Sequence, residues 1–497
     1  MRFFSVASAA AAVTASLFLS VSATKVSTKE VSGRYFVDSD SGEAFFLKGV
    51  DYQPGGSSEF TDGSDPLSSP ETCTRDIVLF EKLGINVIRV YSIDPTLDHD
   101  ECMTKLAAAG IYLLLDVNSP IYGQSLNRDE PWTTYTEPYL THVFSVIEAF
   151  AGYNNTLGFF AGNELVNNKT SAEASPNYIK AVVRDMKNYM SNHIIRQVPV
   201  GYSAADDLNY RVSLANYLEA GPADEAVDFY GVNAYEWCGD NTFEGAGYDV
   251  LVNDFSNYTI PVFLSEFGCN ESPPRLFQEV ASIFSKNMSG VFSGGLVYEY
   301  SQETSDYGLV SIADDGSATM LSDFTVLSSK YAAATTTGLA TEEASARPTT
   351  YLSYYNNISS NTTLPDTLAS TVIANGLNST YNRGAFVAIS DLASNYSIYD
   401  VSGNALSASM TTKYDITIPT ASAIDQTDSD ADDDDSSSGS SASASASASG
   451  SDSSSASSTS SSSSATSSSA SLSNFVSSSE KMGVAALLAV ALGLTVV

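Results

Sequence analysis

Short apolar runs alternate with longer amphipathic stretches between residues 44 and 300. The short runs are apolar at nearly every position, which is typical of parallel strands buried on both faces. The longer stretches repeat their apolar residues at helical spacing, which predicts helices that cover a sheet. We predict strands at Ala44–Tyr52, Ile85–Ile93, Ile111–Val117, Leu157–Leu165, Pro199–Ala205, Val227–Tyr235, Pro261–Gly268 and Gly294–Tyr300. We predict helices at Pro70–Leu83, Asp98–Ala109, Glu137–Ala151, Pro176–His193, Leu208–Glu219, Tyr248–Asn257 and Pro274–Lys286.

The alternation predicts an α/β fold with one closed sheet. Eight parallel strands in roughly 260 residues fit a (β/α)8 TIM barrel. A doubly wound open sheet is the alternative, but it would want a glycine-rich phosphate-binding turn after its first strand. No such turn is present. We therefore predict a barrel domain over residues 24–335.

The two ends of the chain predict export and anchoring. Residues 1–23 begin with Arg2, continue through an apolar stretch and finish with small residues, which is the pattern of a signal peptide. A first transmembrane helix fits less well because the apolar stretch is short and is interrupted by Ser and Thr. At the other end, a small-residue cluster, a polar spacer and the apolar tail Met482–Val497 form a GPI-anchor signal. We place this signal at residues 475–497, with Ser469 as the attachment point. A tail-anchored helix is the alternative, but it would need about 20 apolar residues.

Two further segments separate the barrel from the anchor. Residues 424–474 combine an aspartate run with a Ser/Ala-rich stretch that cannot bury enough apolar surface to fold, so we predict a disordered stalk. Residues 336–423 hold three short β-like runs, which predict a small β-rich appendage or a linker; these runs are Ala385–Ile389, Tyr396–Val401 and Tyr414–Ile418. Nine sequons predict N-glycosylation, at Asn154, Asn168, Asn257, Asn270, Asn287, Asn357, Asn361, Asn378 and Asn395.

Charge and composition exclude several kinds of site. The chain has 58 acidic and 23 basic side chains and a formal net charge of −35, which argues against binding of nucleic acid. Three His and four Cys without a Cys-x-x-Cys pair predict no metal site, and we expect no cofactor. The 28 Tyr residues, with many carboxylates and few cations, suit a neutral polyhydroxylated ligand better than a phosphate.

Polar residues concentrate at the carboxyl ends of the predicted strands, where a barrel carries its chemistry. Glu164 ends the fourth strand and Glu266 lies in the seventh, on opposite sides of an eight-stranded mouth. For Glu164 alone, a salt-bridged structural carboxylate is the alternative reading. The other polar strand-end residues are Asp51, Tyr52, Gln53, Arg89, Tyr91, Asp116, Asn163, Asn233, Tyr235, Tyr298 and Glu299.

Two facing carboxyl groups without metal ligands fit the chemistry of glycoside cleavage. One carboxyl group donates a proton to the leaving oxygen, and the other attacks the anomeric carbon. The acid requires a raised pKa while the nucleophile stays ionised, so we expect their surroundings to differ. Tyr235 is positioned to donate a hydrogen bond to Glu266, and Asn163 to hold the sugar 2-hydroxyl.

Five ordered segments resemble one fungal enzyme family. They are GVDYQPGG, RVYSID, FFAGNE, GVNAYEWCG and VFLSEFGC, and they resemble the Gas/Gel/Phr glucanosyltransferases of glycoside hydrolase family 72. The resemblance implies Glu164 as acid/base and Glu266 as nucleophile. It also implies glucan contacts at Gln53, Tyr91, Asp116, Asn163, Tyr235 and Tyr298.

The resemblance further implies what the protein does and where. The family cuts an internal β-1,3-glucan linkage and passes the new reducing end to the non-reducing end of another chain, which elongates cell-wall glucan. A GPI-anchored protein of the outer plasma membrane and the cell wall is implied, and we expect a monomer. Many members carry a Cys-rich carbohydrate-binding module after the barrel, whereas no Cys follows Cys269 here.

Four cysteines allow three pairings. Cys73 and Cys102 belong to the first and second helical segments, while Cys238 and Cys269 follow the sixth and seventh strands. Neighbouring units of a barrel are adjacent in space, so we expect the disulfides Cys73–Cys102 and Cys238–Cys269.

Two other functions remain compatible with the sequence. A β-1,3-glucanase that mainly hydrolyses would use the same two carboxylates. A non-catalytic glucan-binding mannoprotein of the wall is the third reading, although both carboxylates are present.

Overall fold

Eight parallel strands close into a barrel at the centre of the computed structural model, so the predicted fold is confirmed. The structure describes residues 26–336, 345–378, 383–416 and 418. The predicted signal peptide, stalk and GPI signal, with Ser469, lie outside these residues. Within the described part of the chain, no helix combines the length and the apolar character that crossing a bilayer requires.

The strands form the barrel and two small sheets. An antiparallel sheet precedes the barrel and consists of β1 (Lys29–Ser32), β2 (Tyr35–Asp38) and β3 (Ala44–Phe45). The barrel strands are β4 (Leu47–Asp51), β5 (Val87–Val90), β6 (Tyr112–Asp116), β7 (Thr156–Asn163), β8 (Val200–Ala205), β9 (Phe229–Asn233), β10 (Val262–Phe267) and β11 (Phe292–Val297). The last sheet consists of β12 (Val310–Ile312), β13 (Ala318–Met320) and β14 (Ile398–Tyr399).

Helices connect and cover the strands. They are α1 (Pro70–Leu83), α2 (Asp100–Ala109), α3 (Glu137–Phe150), α4 (Lys169–Ala174), α5 (Pro176–His193), α6 (Arg211–Glu219), α7 (Tyr248–Asp254), α8 (Glu279–Ile283), α9 (Ser322–Ala333) and α10 (Ser370–Asn375). The ends of α1 show how capping residues set the limits of a helix. Ser69 accepts a hydrogen bond from the amide of Thr72, Pro70 occupies the first helical position, and Gly84 ends the helix with a φ of 80°.

Most predicted elements are a few residues shorter in the structure, and two differ in a way that has a clear physical cause. The predicted first strand is split at Phe46 between β3 and β4, which belong to different sheets. The predicted helix at Pro274–Lys286 is reduced to α8, because Phe277 adopts a φ of 46° that an α-helix cannot accommodate. Apolar spacing alone does not reveal this break.

The amino-terminal sheet closes the bottom of the barrel. Phe36 of β2 is fully buried and packs against Phe229 and Phe263, with ring centroids 5.5 and 6.1 Å away. The barrel interior makes room for these rings with glycine, since a Cβ atom at Gly201 would lie 2.2 Å from the Phe229 ring. This end of the barrel is therefore a packed core, which leaves the carboxyl end for chemistry.

The segment after α9 lies along the outer helices of the barrel. We call its described residues, 345–378 and 383–416, the strap. Tyr217 of α6 donates a hydrogen bond to the carbonyl of Asn361 at 2.7 Å. Arg184 of α5 donates to the carbonyl of Pro365 at 2.9 Å. Side chains of the barrel helices thus satisfy the backbone of the strap.

The described part of residues 336–423, predicted as a β-rich appendage or a linker, contains one named strand and the helix α10. Of the three predicted runs, Tyr396–Val401 contains the two-residue strand β14, which pairs with β13. The run Ala385–Ile389 forms no strand, because the side chains of Asp100 and Thr104 in α2 bond its amides in place of a neighbouring strand. No named strand lies in the described residues of Tyr414–Ile418 either.

The nine sequon asparagines differ in exposure, and their glycosylation stays a prediction. Asn154 and Asn270 are partly buried, and their side chains donate to the carbonyls of Val26 and Ser305. The exposed sequon residues are Asn168, Asn257, Asn287, Asn357, Asn361, Asn378 and Asn395.

Candidate active site

Glu164 and Glu266 both lie at the carboxyl end of the barrel. Glu266 is in β10, and Glu164 is the first residue after β7. Glu164 has a φ of 48°, an uncommon backbone conformation for a non-glycine residue that costs on the order of 1–3 kcal/mol. Its amide donates to the carbonyl of Ser203 in the neighbouring strand at 2.9 Å. Such backbone strain is found most often where a side chain must be aimed at a particular point.

Asn233 holds the carboxylate of Glu164. Its Nδ2 donates to Glu164 Oε1 at 2.9 Å and to Asn163 Oδ1 at 3.2 Å. Its Oδ1 accepts hydrogen bonds from the hydroxyl groups of Ser203 and Ser265, at 3.1 and 2.7 Å. Sequence reasoning gave Asn233 no role, although its place in the segment GVNAYEWCG was a signal. Asn163 contacts this same amide, and its predicted contact with the sugar 2-hydroxyl stays a prediction.

Three donors converge on the carboxylate of Glu266. Tyr235 donates to Oε2 at 2.7 Å, and Tyr91 donates to Oε1 at 2.9 Å. Arg89 Nη1 lies 3.2 Å from Oε1 and adds a positive charge. Hydrogen bonds of this kind fix a carboxylate in one orientation and favour its ionised form. The hydrogen bond expected from Tyr235 is present, while the contribution of Tyr91 and Arg89 to the same carboxylate was not foreseen.

Burial and charge act on Glu266 in opposite directions. The pKa of Glu266 is raised to about 7. Burial is the largest cause of the rise, the charge of Arg89 opposes it, and the charge of Glu164 adds to it. The hydrogen bonds from Tyr235 and Tyr91 lower the pKa as well. We expected the raised pKa on the acid, but Glu266 is the more buried of the two carboxyl groups. Its donors therefore counteract a desolvation cost that a nucleophile must overcome.

Arg89 is fully buried and links two carboxylates. It donates to both oxygens of Asp116, at 3.0 and 2.9 Å, and also to Glu266. Gln53 accepts hydrogen bonds from the amides of Tyr91 and Ser92, both at 3.1 Å. The contacts of Gln53 and Asp116 in this structure are thus with the protein, and their contacts with glucan stay predictions.

Tyrosine rings line the mouth around Glu266. The centroids of Tyr298 and Tyr307 are 5.2 Å apart, and Tyr235 lies 5.8 Å from Tyr307 and 6.4 Å from Tyr298. Tyr91 packs edge-on against Tyr298 at 6.4 Å. Tyr52 lies elsewhere, fully buried with its hydroxyl group on Asp76, so this strand-end residue does not reach the mouth.

Two further buried carboxyl groups accompany the pair. Asp51 is fully buried, neither of its oxygens accepts a hydrogen bond, and burial raises its pKa well above the usual range. Burial raises the pKa of Glu299 to about 7, and its Oε1 accepts from the hydroxyl group of Ser305 at 3.0 Å. Sequence reasoning noted both residues but assigned neither a role.

Two disulfides join segments of the barrel. Cys73 is joined to Cys102, and Cys238 to Cys269, which are the expected pairs. The second disulfide connects the loops that follow β9 and β10, next to Tyr235 and Glu266. Among the described residues, the group of potential metal ligands that lies close together is Cys238, Cys269 and Glu271. Both thiols of this group are consumed in the disulfide.

The arrangement defines a class of enzyme. A buried carboxylate held by three donors suits attack on an anomeric carbon, and a more exposed carboxyl group across the mouth suits proton transfer. Tyrosine rings around them suit a sugar chain. The fold and the site are those of a barrel enzyme that acts on glycosides through a covalent intermediate.

Comparison with known proteins gives the family. Residues 18–335 match the glucanosyltransferase family, glycoside hydrolase family 72. The chain belongs to this family.

Relatives and solved structures agree with this assignment. The chain is 59% identical over 309 residues to the 1,3-beta-glucanosyltransferase GAS4 of Saccharomyces cerevisiae, which covers 62% of this chain and 66% of the relative. It is 50% identical over 319 residues to gel2 of Aspergillus fumigatus, covering 64% and 67%. The chain thus spans about two thirds of these curated relatives. A structure of Saccharomyces cerevisiae Gas2p with laminaritriose and laminaritetraose is 40% identical, covers 70% of this chain and 78% of that one, and has a TM-score of 0.63.

Proposed function

We propose that this protein is a retaining 1,3-beta-glucanosyltransferase that cleaves β-1,3-glucan internally and joins the new reducing end to the non-reducing end of another glucan. The observation that carries the proposal is the placement of Glu266, held by Tyr235, Tyr91 and Arg89, within the electrostatic influence of Glu164. The relatives named as glucanosyltransferases, and the Gas2p complex with laminari-oligosaccharides, support β-1,3-glucan as donor and acceptor.

The first step forms a covalent glycosyl-enzyme. A carboxylate oxygen of Glu266 attacks the anomeric carbon, and the bond between that carbon and the glycosidic oxygen breaks. Glu164 donates its proton to the departing oxygen, so the leaving chain departs as an alcohol. Tyr235 and Tyr91 hold the Glu266 carboxylate on their hydroxyl groups while it is still ionised.

The second step transfers the sugar to an acceptor. Glu164, now ionised, takes the proton from the 3-hydroxyl of an incoming glucan, whose oxygen attacks the same carbon. The ester bond to Glu266 breaks, which restores its carboxylate and forms a β-1,3 linkage with retained configuration. Water in place of the glucan would give hydrolysis, so acceptor binding on the Glu164 side decides between the two outcomes.

The supporting residues have separate proposed roles. We assign glucan contacts to Tyr91, Asn163, Tyr235 and Tyr298, whose side chains lie at the mouth. We assign Gln53 and Asp116 contacts with glucan as well, in addition to their support of Tyr91 and Arg89.

The place of action follows from the ends of the chain. We propose that residues 1–23 direct export and that residues 475–497 signal the attachment of a GPI anchor at Ser469. The chain after Ser469 would then be removed, and the part of the predicted stalk 424–474 up to Ser469 would remain. The barrel would then act as a monomer on the outer face of the plasma membrane and in the cell wall.

The test measures product length. Purified protein is incubated with a reduced laminari-oligosaccharide of defined length, and the products are separated by size. Products longer than the substrate are expected from transfer, whereas exclusively shorter products would contradict it and indicate a glucanase. Glu266→Gln and Glu164→Gln are each expected to lower the rate at least 1,000-fold, about 4 kcal/mol of transition-state stabilisation. Full activity of Glu266→Gln would overturn the mechanism.

A further inference from the structure

An open cavity lies beside the mouth of the barrel, outside the catalytic pair. Its volume is about 580 Å³. Three segments of the chain form its walls: α4, the loop that follows β8, and the strap. The lining side chains include Lys169, Glu173, Asn209, Tyr210, Tyr354 and Asn357.

Two of the walls belong to the active-site face. Lys169 begins α4 a few residues after Glu164, and Asn209 and Tyr210 lie a few residues after the end of β8. Segments that directly follow barrel strands lie at the carboxyl end of the barrel, where the chemistry takes place. Two walls of the cavity therefore directly follow barrel strands on the Glu164 side of the mouth. In the proposed mechanism, the leaving chain and the acceptor bind on this side.

The third wall is firmly attached to the barrel. Tyr355 and Ile358 of the strap are buried, at 2% and 7% exposure. The amide of Ser359 donates to the carbonyl of Ala172 in α4 at 2.8 Å. A cavity built in this way needs no ordering of loops before it binds a ligand, which reduces the cost of association.

A second bond joins the strap to the loop after β8. Asn357 Nδ2 donates to the carbonyl of Asn209 at 3.2 Å. This contact connects two walls of the cavity directly. The strap lies beyond residue 335, where the match to the family ends.

The chemistry of the walls favours a neutral sugar chain. Tyr354 is 67% exposed and Tyr210 is partly buried, so both rings are available to the apolar faces of pyranose rings. Lys169 is paired with Glu173 at 3.8 Å, which leaves no unpaired cation among the residues named here for a phosphate or sulfate group. Asn209 and Asn357 add amide groups that suit hydroxyl ligands.

We propose that this cavity is a distal acceptor subsite that binds β-1,3-glucan several sugar units away from the reacting end. The proposal rests on the transferase function proposed above, since only a transferase must hold a second glucan on the Glu164 side. Tyr354 is the principal contact, as a ring that is largely exposed on a fixed segment. A long acceptor reaches the cavity, whereas a short acceptor does not.

The experiment compares acceptors of increasing length with one donor. Tyr354→Ala is expected to lower kcat/KM for long laminari-oligosaccharide acceptors about tenfold, with short acceptors unchanged. Tyr354→Phe keeps the ring and is expected to behave like the wild type. Leu352→Ala is the matched control, because Leu352 is 57% exposed on the same segment without lining the cavity.

Three results would overturn the proposal. The first is an equal loss with short and long acceptors, which would indicate a general effect on catalysis or folding. The second is an unchanged kcat/KM for long acceptors when Tyr354→Ala is made in the glycosylated protein, together with a higher kcat/KM in Asn357→Gln. This result would indicate that a glycan on Asn357 fills the cavity. The third is the same loss in Leu352→Ala. If the wild-type protein makes no product longer than its substrate, the result would instead contradict the proposed transferase function.

Discussion

The hydrogen bond from Tyr235 to Glu266 offers a direct test of how the nucleophile is kept ionised. Tyr235→Phe removes one hydroxyl group and keeps the ring that packs against Tyr298 and Tyr307. Glu266 then retains the donors Tyr91 and Arg89, on its other oxygen. The substitution therefore tests one donor to Oε2.

The size of the effect follows from the burial of the pair. A hydrogen bond to a charged group contributes about 1.5–3 kcal/mol, and one pKa unit corresponds to about 1.4 kcal/mol. The pKa of Glu266 is already raised to about 7, mainly by burial, and Tyr235 opposes that rise. Its loss is expected to raise the pKa by a further 1–2 units, roughly, by the same conversion. Because the reaction needs the ionised form, activity at low pH is lost.

The assay is the pH dependence of kcat/KM, which reports the free enzyme. The acidic limb is expected to move to higher pH by about 1–2 units, so that activity below the limb falls about 10- to 100-fold. Tyr307→Phe is the matched control. The ring of Tyr307 packs in the same cluster, against Tyr235 and Tyr298, but its hydroxyl group does not bond Glu266. An unmoved acidic limb in Tyr235→Phe, or an equal shift in Tyr307→Phe, would refute the reasoning.

Three other substitutions separate catalysis, stability and charge. Asn233→Ala removes the donor to Glu164 and is expected to lower the rate of glucan cleavage at least tenfold. The rate with a glycosyl fluoride is expected to fall less, because fluoride leaves without a proton. Equal losses with both substrates would contradict this role. Phe36→Ala is expected to lower the free energy of unfolding by about 3–5 kcal/mol in urea titrations while the folded fraction keeps its kcat. Asp51→Asn is expected to leave the acidic limb in place, because Asn resembles a protonated Asp, and a downward shift of a unit would show that Asp51 is ionised.

The barrel and the positions of Glu164 and Glu266 were predictable because each depends on a local pattern. Buried parallel strands are apolar throughout, so a carboxylate at the end of such a run is conspicuous. Glu164 and Glu266 satisfy this condition, and the segments around them resemble one family. The predicted helices α1 and α5 also have the predicted limits, since Pro begins both helices.

The contacts that tune the site were not predictable from one sequence. Asn233 reaches Glu164 because of the register between strands: it lies opposite Ala205 of β8 and Glu266 of β10. Register depends on the shear of the closed barrel, which no single strand specifies. The backbone contacts of the strap were not predictable for a related reason. Its β-like run Ala385–Ile389 is bonded by α2, a partner distant in sequence, and strand propensity does not identify such partners.

The buried charges around Arg89 bear on the nucleophilic role that we propose for Glu266. Arg89 supplies one positive charge, and its bonds go to Asp116 and Glu266. Asp51 lies within the influence of the same guanidinium group but receives no hydrogen bond, and burial raises its pKa well above the usual range. We infer that Asp51 is the group that carries a proton, because an unpaired buried carboxylate is costly. The charge of Arg89 is then shared by only two carboxylates, and a neutral Asp51 adds no repulsion that would push Glu266 toward its protonated, inactive form.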